Sequence, residues 1–428
     1  MNQYQTFVFS GYDFTPHEKI LRLHYAYDDA LQFTETYRFD FPFAQYDPAA
    51  FDAAVQQLFF VAGVSYYKAY LAPEIEVRSG VLDEPLASFL SKTYQRGLGE
   101  FFYVNRLDPL SPIPFNATVD TLHEVEVDGT GLLIGLGGGK DSLVSVELLR
   151  NSGLDIATWS LNHRQQLTPL VERVGLPHYW VDRTWDPQLK ALNENGAYNG
   201  HVPISAIFAA VGTIVCILSG RRDHVVSNEQ SANEPTLFYD NVAINHQYSK
   251  SQEFEQDYQA LLKHSFGSSM RYYSLLRPLT ELRIAELFAP YFEKYHAVFS
   301  SCNTAFRHGS NHLFWDATCA KCAFVFLVLT PFIARQKLEK LFGGKNLLLD
   351  ASLEKTYRQL LGIEGDKPLD CVGGVRESRT AMRMAQQQYP ELNAYNFTLD
   401  TSYDFRTLHN HEIPEEIWDL VSSQTARA

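Results

Sequence analysis

The chain has 428 residues, 45% of them hydrophobic and 20% charged, which suits a soluble globular protein of two or three domains with filled cores. Its formal charge of −14 argues against broad electrostatic binding of nucleic acid, so no nucleic-acid partner is expected. Five cysteines, scattered between Cys216 and Cys371, do not make a disulfide framework and point to a reducing compartment, the cytoplasm. Met1-Asn2-Gln3-Tyr4-Gln5 has neither the basic nor the apolar segment of a signal peptide. The longest apolar run, Ile204 to Leu218, has 15 residues, which is short for a membrane span and reads as a buried helix.

Residues 1 to 125 predict an α+β unit. Ile20 to Tyr27 alternates like a strand, Phe33 to Phe41 reads as its hairpin partner across Asp28-Asp29, and Phe51 to Leu71 has helical spacing. The aromatics here are interleaved with few lysines or arginines, so they read as core rather than as a base-stacking platform. Leu110-Ser111-Pro112-Ile113-Pro114 is a boundary signal.

From 126 to 300 the pattern becomes βα repeats. Strands are predicted at Leu132–Leu136, Asp155–Ser160, His178–Val181 and His224–Ser227, with helices near 142–152, 164–175 and 203–219. This alternation implies an α/β fold with a parallel sheet, whose ligands bind beyond the carboxyl ends of the strands. Residues 301 to 428 predict a mainly helical region.

The first of these strands runs into Gly135-Leu136-Gly137-Gly138-Gly139-Lys140-Asp141-Ser142 and then a helix. Strand, glycine turn and helix N-terminus together form an anion site, because free amide N–H groups and the positive end of the helix dipole converge on the turn. Two common phosphate loops do not fit. The dinucleotide fingerprint needs glycine where Lys140 stands. The Walker loop needs Ser or Thr after the lysine and glycine where Ile134 stands, but Asp141 follows Lys140. A second loop, Ser227 to Glu234, follows the strand at His224; its Asn228, Glu229, Ser231, Asn233 and Glu234 form a polar run suited to ligand contact. Further on, Cys302 precedes Cys319-Ala320-Lys321-Cys322. These thiols have three readings: a zinc site completed by His308 or His312, inert core thiols, or a catalytic thiol.

Gly137 to Ser142 resembles the SGGxDS loop of the ATP pyrophosphatase (PP-loop) superfamily, which has an adenine nucleotide alpha hydrolase-like fold. Gly137 stands where that superfamily usually has serine, which removes a hydroxyl contact to phosphate. Several phrases together resemble one of its families, the ATP-dependent epimerase acting on UDP-N-acetylmuramoyl-L-alanyl-L-glutamate. They are Phe9-Ser10-Gly11-Tyr12, Gly137–Ser142, Ser227–Glu234, Asn245–Phe254, Cys319-Ala320-Lys321-Cys322-Ala323-Phe324 and Pro368-Leu369-Asp370-Cys371-Val372-Gly373.

The resemblance implies a UDP-muramoyl dipeptide substrate and ATP and Mg²⁺ as cofactors. The amides of Gly137, Gly138 and Gly139 and the Lys140 side chain would hold pyrophosphate. Asp141 would place Mg²⁺, and Ser142 would cap the helix and contact phosphate. The Ser227–Glu234 loop would contact the nucleotide or the reacting carboxylate. Adenylating that carboxylate would remove its charge and let the glutamyl α-hydrogen leave as a proton. Cys319, Cys322, His201, His246 and His308 are the candidate bases. The spacing of Cys319 and Cys322 on a helix puts both sulfurs on one face, which disfavours the two flanking one carbon. The competing readings are a PP-loop enzyme modifying a nucleobase or tRNA, and a non-catalytic sensor of ATP or AMP.

Overall fold

The computed structural model describes residues 4–306, 312–392 and 395–425. Its strands are β1 (Thr6–Thr15), β2 (Ile20–Tyr27), β3 (Leu31–Asp40), β4 (Glu74–Val77), β5 (Leu132–Gly135), β6 (Ile156–Leu161), β7 (His178–Thr184), β8 (Asp223–Val226), β9 (Leu237–Tyr239), β10 (Val242–Ile244) and β11 (Arg271–Ser274). β9 and β10 pair only with each other, and the remaining strands form one sheet in the order β11-β8-β5-β6-β7-β3-β2-β1-β4.

The segment β11-β8-β5-β6-β7 is parallel throughout, as the βα pattern predicts. From β7 the sheet continues into the antiparallel strands β3, β2 and β1. The hairpin expected at Asp28-Asp29 is present, with both aspartates at positive φ in its tight turn. The N-terminal α+β elements and the βα repeats therefore share one sheet, joined where Thr36–Asp40 of β3 pairs with Trp180–Thr184 of β7. β1 and β11 were not read from the sequence. β1 is aromatic and bulged between Phe9 and Gly11, which breaks the simple alternation.

Both faces of the sheet are covered. In β5, Leu133 faces a core shared with β1–β3 and the helices Pro48–Ala62 and Ile204–Ser219. Leu132 and Ile134 face a second core, built with the helices Lys140–Leu149, Glu281–Phe288 and Ala320–Leu329. Burial on both sides explains why β5 is apolar without alternation. Among the described residues no strand follows Ser274, and no helix is long and apolar enough to cross a membrane.

Chain direction positions the site. From β5 the path moves outward through β6 and β7, then crosses by the buried helix Ile204–Ser219 to β8 on the other side of β5. The loops after β5 and β8 therefore diverge, leaving a crevice at the carboxyl ends of two adjacent parallel strands.

The seam between the two halves carries a buried ion pair. Arg183 of β7 donates to Glu35 of β3 through Nε at 2.8 Å and Nη2 at 3.1 Å, and Nη2 also reaches Ser65 Oγ at 3.0 Å. Removing one partner leaves the other charge buried and uncompensated, at a cost of about 3–5 kcal/mol. Glu35→Ala should therefore lower the melting temperature markedly in a thermal scan. An unchanged transition would show that the seam does not depend on the pair.

Candidate active site

The glycine loop is shaped by what lies behind it. Gly138 has φ +95°, and a Cβ there would lie 3.2 Å from the Ser300 carbonyl oxygen and 3.2 Å from a Leu167 methyl, so only glycine fits without strain. Its own carbonyl accepts from Ser300 N at 3.0 Å. Gly137 is different: nothing lies within 4 Å of a Cβ placed on it. A serine side chain would have room there, so this departure from the PP-loop pattern is sterically neutral.

The helix begins at Lys140, with Gly139 as its N-cap and no side chain satisfying the first turn. Uncapped first-turn amides of this kind suit an anion. The expectation that Ser142 caps this helix is corrected. The helix starts two residues earlier, and Ser142 Oγ donates back to the Gly139 carbonyl at 3.2 Å.

A cavity of about 510 Å³ opens at the β5–β8 crevice. Gly135, Gly137, Gly139, Asp141 and Ser142 line it from the first loop, and Ser227 and Asn228 from the second. Trp159, Phe208, His224 and Tyr272 give it an aromatic wall, and Lys250, Lys321 and Cys371 bring charge to it from distant segments. The Trp159 indole Nε1 is buried there with no hydrogen-bond partner among the described residues.

The second loop divides. Asn228 reaches the cavity, its backbone N–H fixed on Ser274 Oγ at 2.7 Å. Glu229 is buried behind it, its carbonyl accepting from Arg277 Nη1 at 2.7 Å. The 3₁₀ turn Gln230–Asn233 then carries the chain away. Ser231 is buried outside the cavity lining. Asn233 lines a separate groove of about 1090 Å³ and accepts from Gln252 N at 2.7 Å. Glu234 lies 3.5 Å from Lys367.

Behind the glycine loop sits a cluster of buried charge. The Lys140 ammonium does not line the cavity; it is 2% exposed and clamped between the Asp141 and Glu281 carboxylates. Lys321 lies 3.7 Å from Glu281 and donates to the Cys371 carbonyl. Lys250 donates to the Cys371 thiol at 3.1 Å. Burial pushes the Asp141 carboxyl up, but attraction to Lys140, then Lys321 and Lys250, outweighs it and holds the group below its ordinary value. Glu281, more completely enclosed, is pushed up by burial against the pull of Lys140.

Cys371 is a thiol of the cavity wall set among cationic groups. Burial raises its pKa, but Lys250, His246 and Lys321 overcome that and bring it down to about 6. His246 Nε2 stands 3.9 Å from the sulfur, and Nδ1 pairs with Glu100. Burial lowers the His246 pKa, whereas Cys371 and Glu100 raise it further, to about 9. His201 packs beside His246, with ring centroids 4.6 Å apart, and is held down to about 4 by burial and by that neighbour. The sequence named His246 as a candidate base but not Cys371, which lies 125 residues from it.

Cys319 and Cys322 do not line this cavity. They face Cys302 and Asp316, with the Cys302 and Cys319 sulfurs 3.9 Å apart and the Cys322 thiol donating to Asp316 Oδ1 at 3.1 Å. The expected fourth member, His312, packs toward Phe314 instead, and Asp316 takes that place. The other expected candidate, His308, lies outside the described residues. The signal that could have found Asp316 is its spacing, three residues before Cys319 in the turn Asp316-Ala317-Thr318-Cys319.

Comparison with known proteins covers nearly the whole length of the chain. The family models described as MurL N-terminal domain and MurL C-terminal domain match residues 1–275 and 298–398. The chain belongs to the MurL family. A relative from Xanthomonas oryzae pv. oryzae, named UDP-N-acetyl-alpha-D-muramoyl-L-alanyl-L-glutamate epimerase, is 35% identical over 99% of this chain and 98% of its own. Proteins of the same name from a Micromonospora species and from Salinispora tropica are each 39% identical over 79% of this chain, covering 76% and 74% of their own lengths. No solved structure matches the chain. Within this MurL chain the two family segments meet at the cavity, the first supplying the glycine loop and Lys250, the second Lys321 and Cys371.

The polarised thiol gives a direct check. Alkylation of Cys371 by iodoacetamide, followed by peptide mass spectrometry, should have its pH midpoint near 6, because the thiolate is the reactive form and is lost below that value. Lys250→Met should move the midpoint upward. A midpoint at the ordinary thiol value in the unaltered chain would contradict the described charge cluster.

Proposed function

We propose that this chain inverts the α-carbon of the terminal glutamate of UDP-N-acetylmuramoyl-L-alanyl-L-glutamate, from L to D, for peptidoglycan precursor synthesis. The observation that carries this is the end-to-end likeness to a relative of that name, covering 99% of this chain and 98% of the other. The substrate is a soluble nucleotide-linked molecule and all five cysteines are free thiols, so the reaction is assigned to the cytoplasm.

The obstacle to inversion is the acidity of the α-hydrogen. Beside an ionised carboxylate, deprotonation would place a second negative charge next to the first. ATP bound with Mg²⁺ would supply the remedy: the carboxylate would displace diphosphate to become an acyl adenylate whose carbonyl delocalises the carbanion, and water would afterwards release AMP and restore the carboxylate. The residues fit such a cofactor. The Gly137 and Gly139 backbone and the uncapped helix start line the cavity, with Lys250 and Lys321 beside them as phosphate contacts. Gly138 and Lys140 stand behind this surface, Gly138 shaping the turn and Lys140 compensating Asp141. Asp141, kept ionised by three lysines, would hold Mg²⁺. Ser142 and Asn228 border the same space. The unpartnered Trp159 indole N–H offers a donor to the base. Glu229 backs the phosphate contacts by attracting Lys250, and Ser231, Asn233 and Glu234 support that loop from outside the cavity.

Proton abstraction is assigned to Cys371. Three features support it over Cys319 and Cys322: it borders the cavity, it is ionised near neutrality, and it leads to a relay through His246 to Glu100. Lys250 and the His246 imidazolium stabilise the thiolate before it accepts the proton, and a solvent-derived proton would return to the opposite face of the carbanion.

Activity should therefore follow a bell in pH. It should rise through about 6 as Cys371 ionises and fall through about 9 as His246 loses its proton. The two halves of the reaction are separable by substitution. Asp141→Asn should abolish diphosphate release and D-glutamate formation together. Cys371→Ala should keep diphosphate release while D-glutamate formation falls by about 10²–10⁴-fold. Chromatographic assay of AMP and diphosphate, with chiral analysis of the glutamate, measures both. Normal D-glutamate formation by Cys371→Ala would remove the thiol from the mechanism.

A further inference from the structure

We propose that Cys302, Asp316, Cys319 and Cys322 bind one zinc ion, which fixes a wall of the reaction cavity. Each offers one ligand atom, and the four atoms lie within 4.8 Å of one another. The 3.9 Å between the Cys302 and Cys319 sulfurs is close to the ~3.8 Å separating two sulfurs that are each ~2.3 Å from a tetrahedral ion. Three sulfurs and one carboxylate oxygen favour zinc, whereas magnesium takes oxygen ligands alone. The set does not use the groups assigned to ATP, Mg²⁺ or the proton relay.

The ligands are held in place without the ion. Cys319 is the N-cap of the helix Ala320–Leu329, and its sulfur accepts from Cys322 N at 3.4 Å. Asp316 Oδ1 accepts from Thr318 N at 2.9 Å and Cys319 N at 3.2 Å, and Oδ2 from Thr304 Oγ1 at 2.8 Å. These contacts orient the carboxylate as outer partners do around bound metals. Ala317, at φ +59°, makes the tight turn that brings Asp316 back over the cysteines. Inert core thiols would not require a carboxylate turned in among them.

The position gives the ion its purpose. Ser301, Cys302 and Asn303 line the cavity, Ser300 bonds the Gly138 carbonyl, and Lys321 lies between the two helix cysteines. A metal joining Cys302 to the start of that helix would lock the loop that backs the glycines to the lysine that faces them.

Metal analysis of the intact chain, purified without chelators, should find about one zinc per chain. Cobalt(II) added to the chelator-stripped protein should give a thiolate-to-cobalt charge-transfer band in the near ultraviolet. Cys322→Ser and Asp316→Ala should reduce zinc content by at least roughly tenfold, whereas Cys216→Ala, in a separate core helix, should leave it unchanged. Absence of both zinc and the cobalt band in the unaltered chain would overturn the proposal, and that reading needs no variant to fold. Zinc retained by Cys322→Ser would also overturn it, moving the ion to the other convergent group, Glu100, His201 and His246.

Discussion

Three lysines and two carboxylates meet behind and beside one glycine turn, Lys140 and Glu281 fully buried, and the placement of nearly every functional group depends on that compensation. Removing each charge from water costs several kcal/mol, which is recovered only when the partners meet at close range. Lys140 and Asp141 come from the first helical turn after β5, Glu281 from a helix more than a hundred residues later, and Lys321 from the helix behind the cysteines. None of these segments can shift alone without stranding a buried ion. The cluster is thus a fastening as well as a source of field, and it holds the two family segments against each other at the cavity.

That field explains the chemistry on either side of it. Toward the glycine loop the lysines keep Asp141 ionised, so a carboxylate able to hold a divalent cation stands beside amides able to hold phosphate. Toward the second segment the same lysines, with His246, turn Cys371 into a thiolate at neutral pH. The proposed reaction, in which one carboxylate is neutralised before a poorly acidic proton is removed, needs both functions within one substrate length. The parallel strands β5 and β8 diverge where both can reach a single cavity.

Local patterns were legible in the sequence where local physics decides the structure. β5, its glycine turn and the following helix could be read because apolar run, backbone freedom and helical spacing all agree over a few residues. The hairpin β2–β3 was legible for the same reason. What could not be read depends on distant segments. Lys140 looks in sequence like a side chain aimed at ligand, yet Glu281 draws it behind the loop. Ser227–Glu234 reads as one polar loop, but the turn at Gln230–Asn233 sends its halves to different cavities. Cys371 became notable only once Lys250 and His246 stood beside it. The joining of β3 to β7, which merges two apparent domains into one sheet, is likewise a pairing across more than a hundred residues.

In the proposed reaction, carboxylate activation must precede loss of the α-hydrogen. Incubation of the unaltered chain with the L-glutamyl substrate in deuterium oxide, followed by mass spectrometry of the recovered glutamate, tests it most directly. One deuterium should appear at the α-carbon only when ATP and Mg²⁺ are both present. Deuterium incorporated at the same rate without ATP would rule out prior activation, because the chain would then be removing the proton beside an unmodified carboxylate.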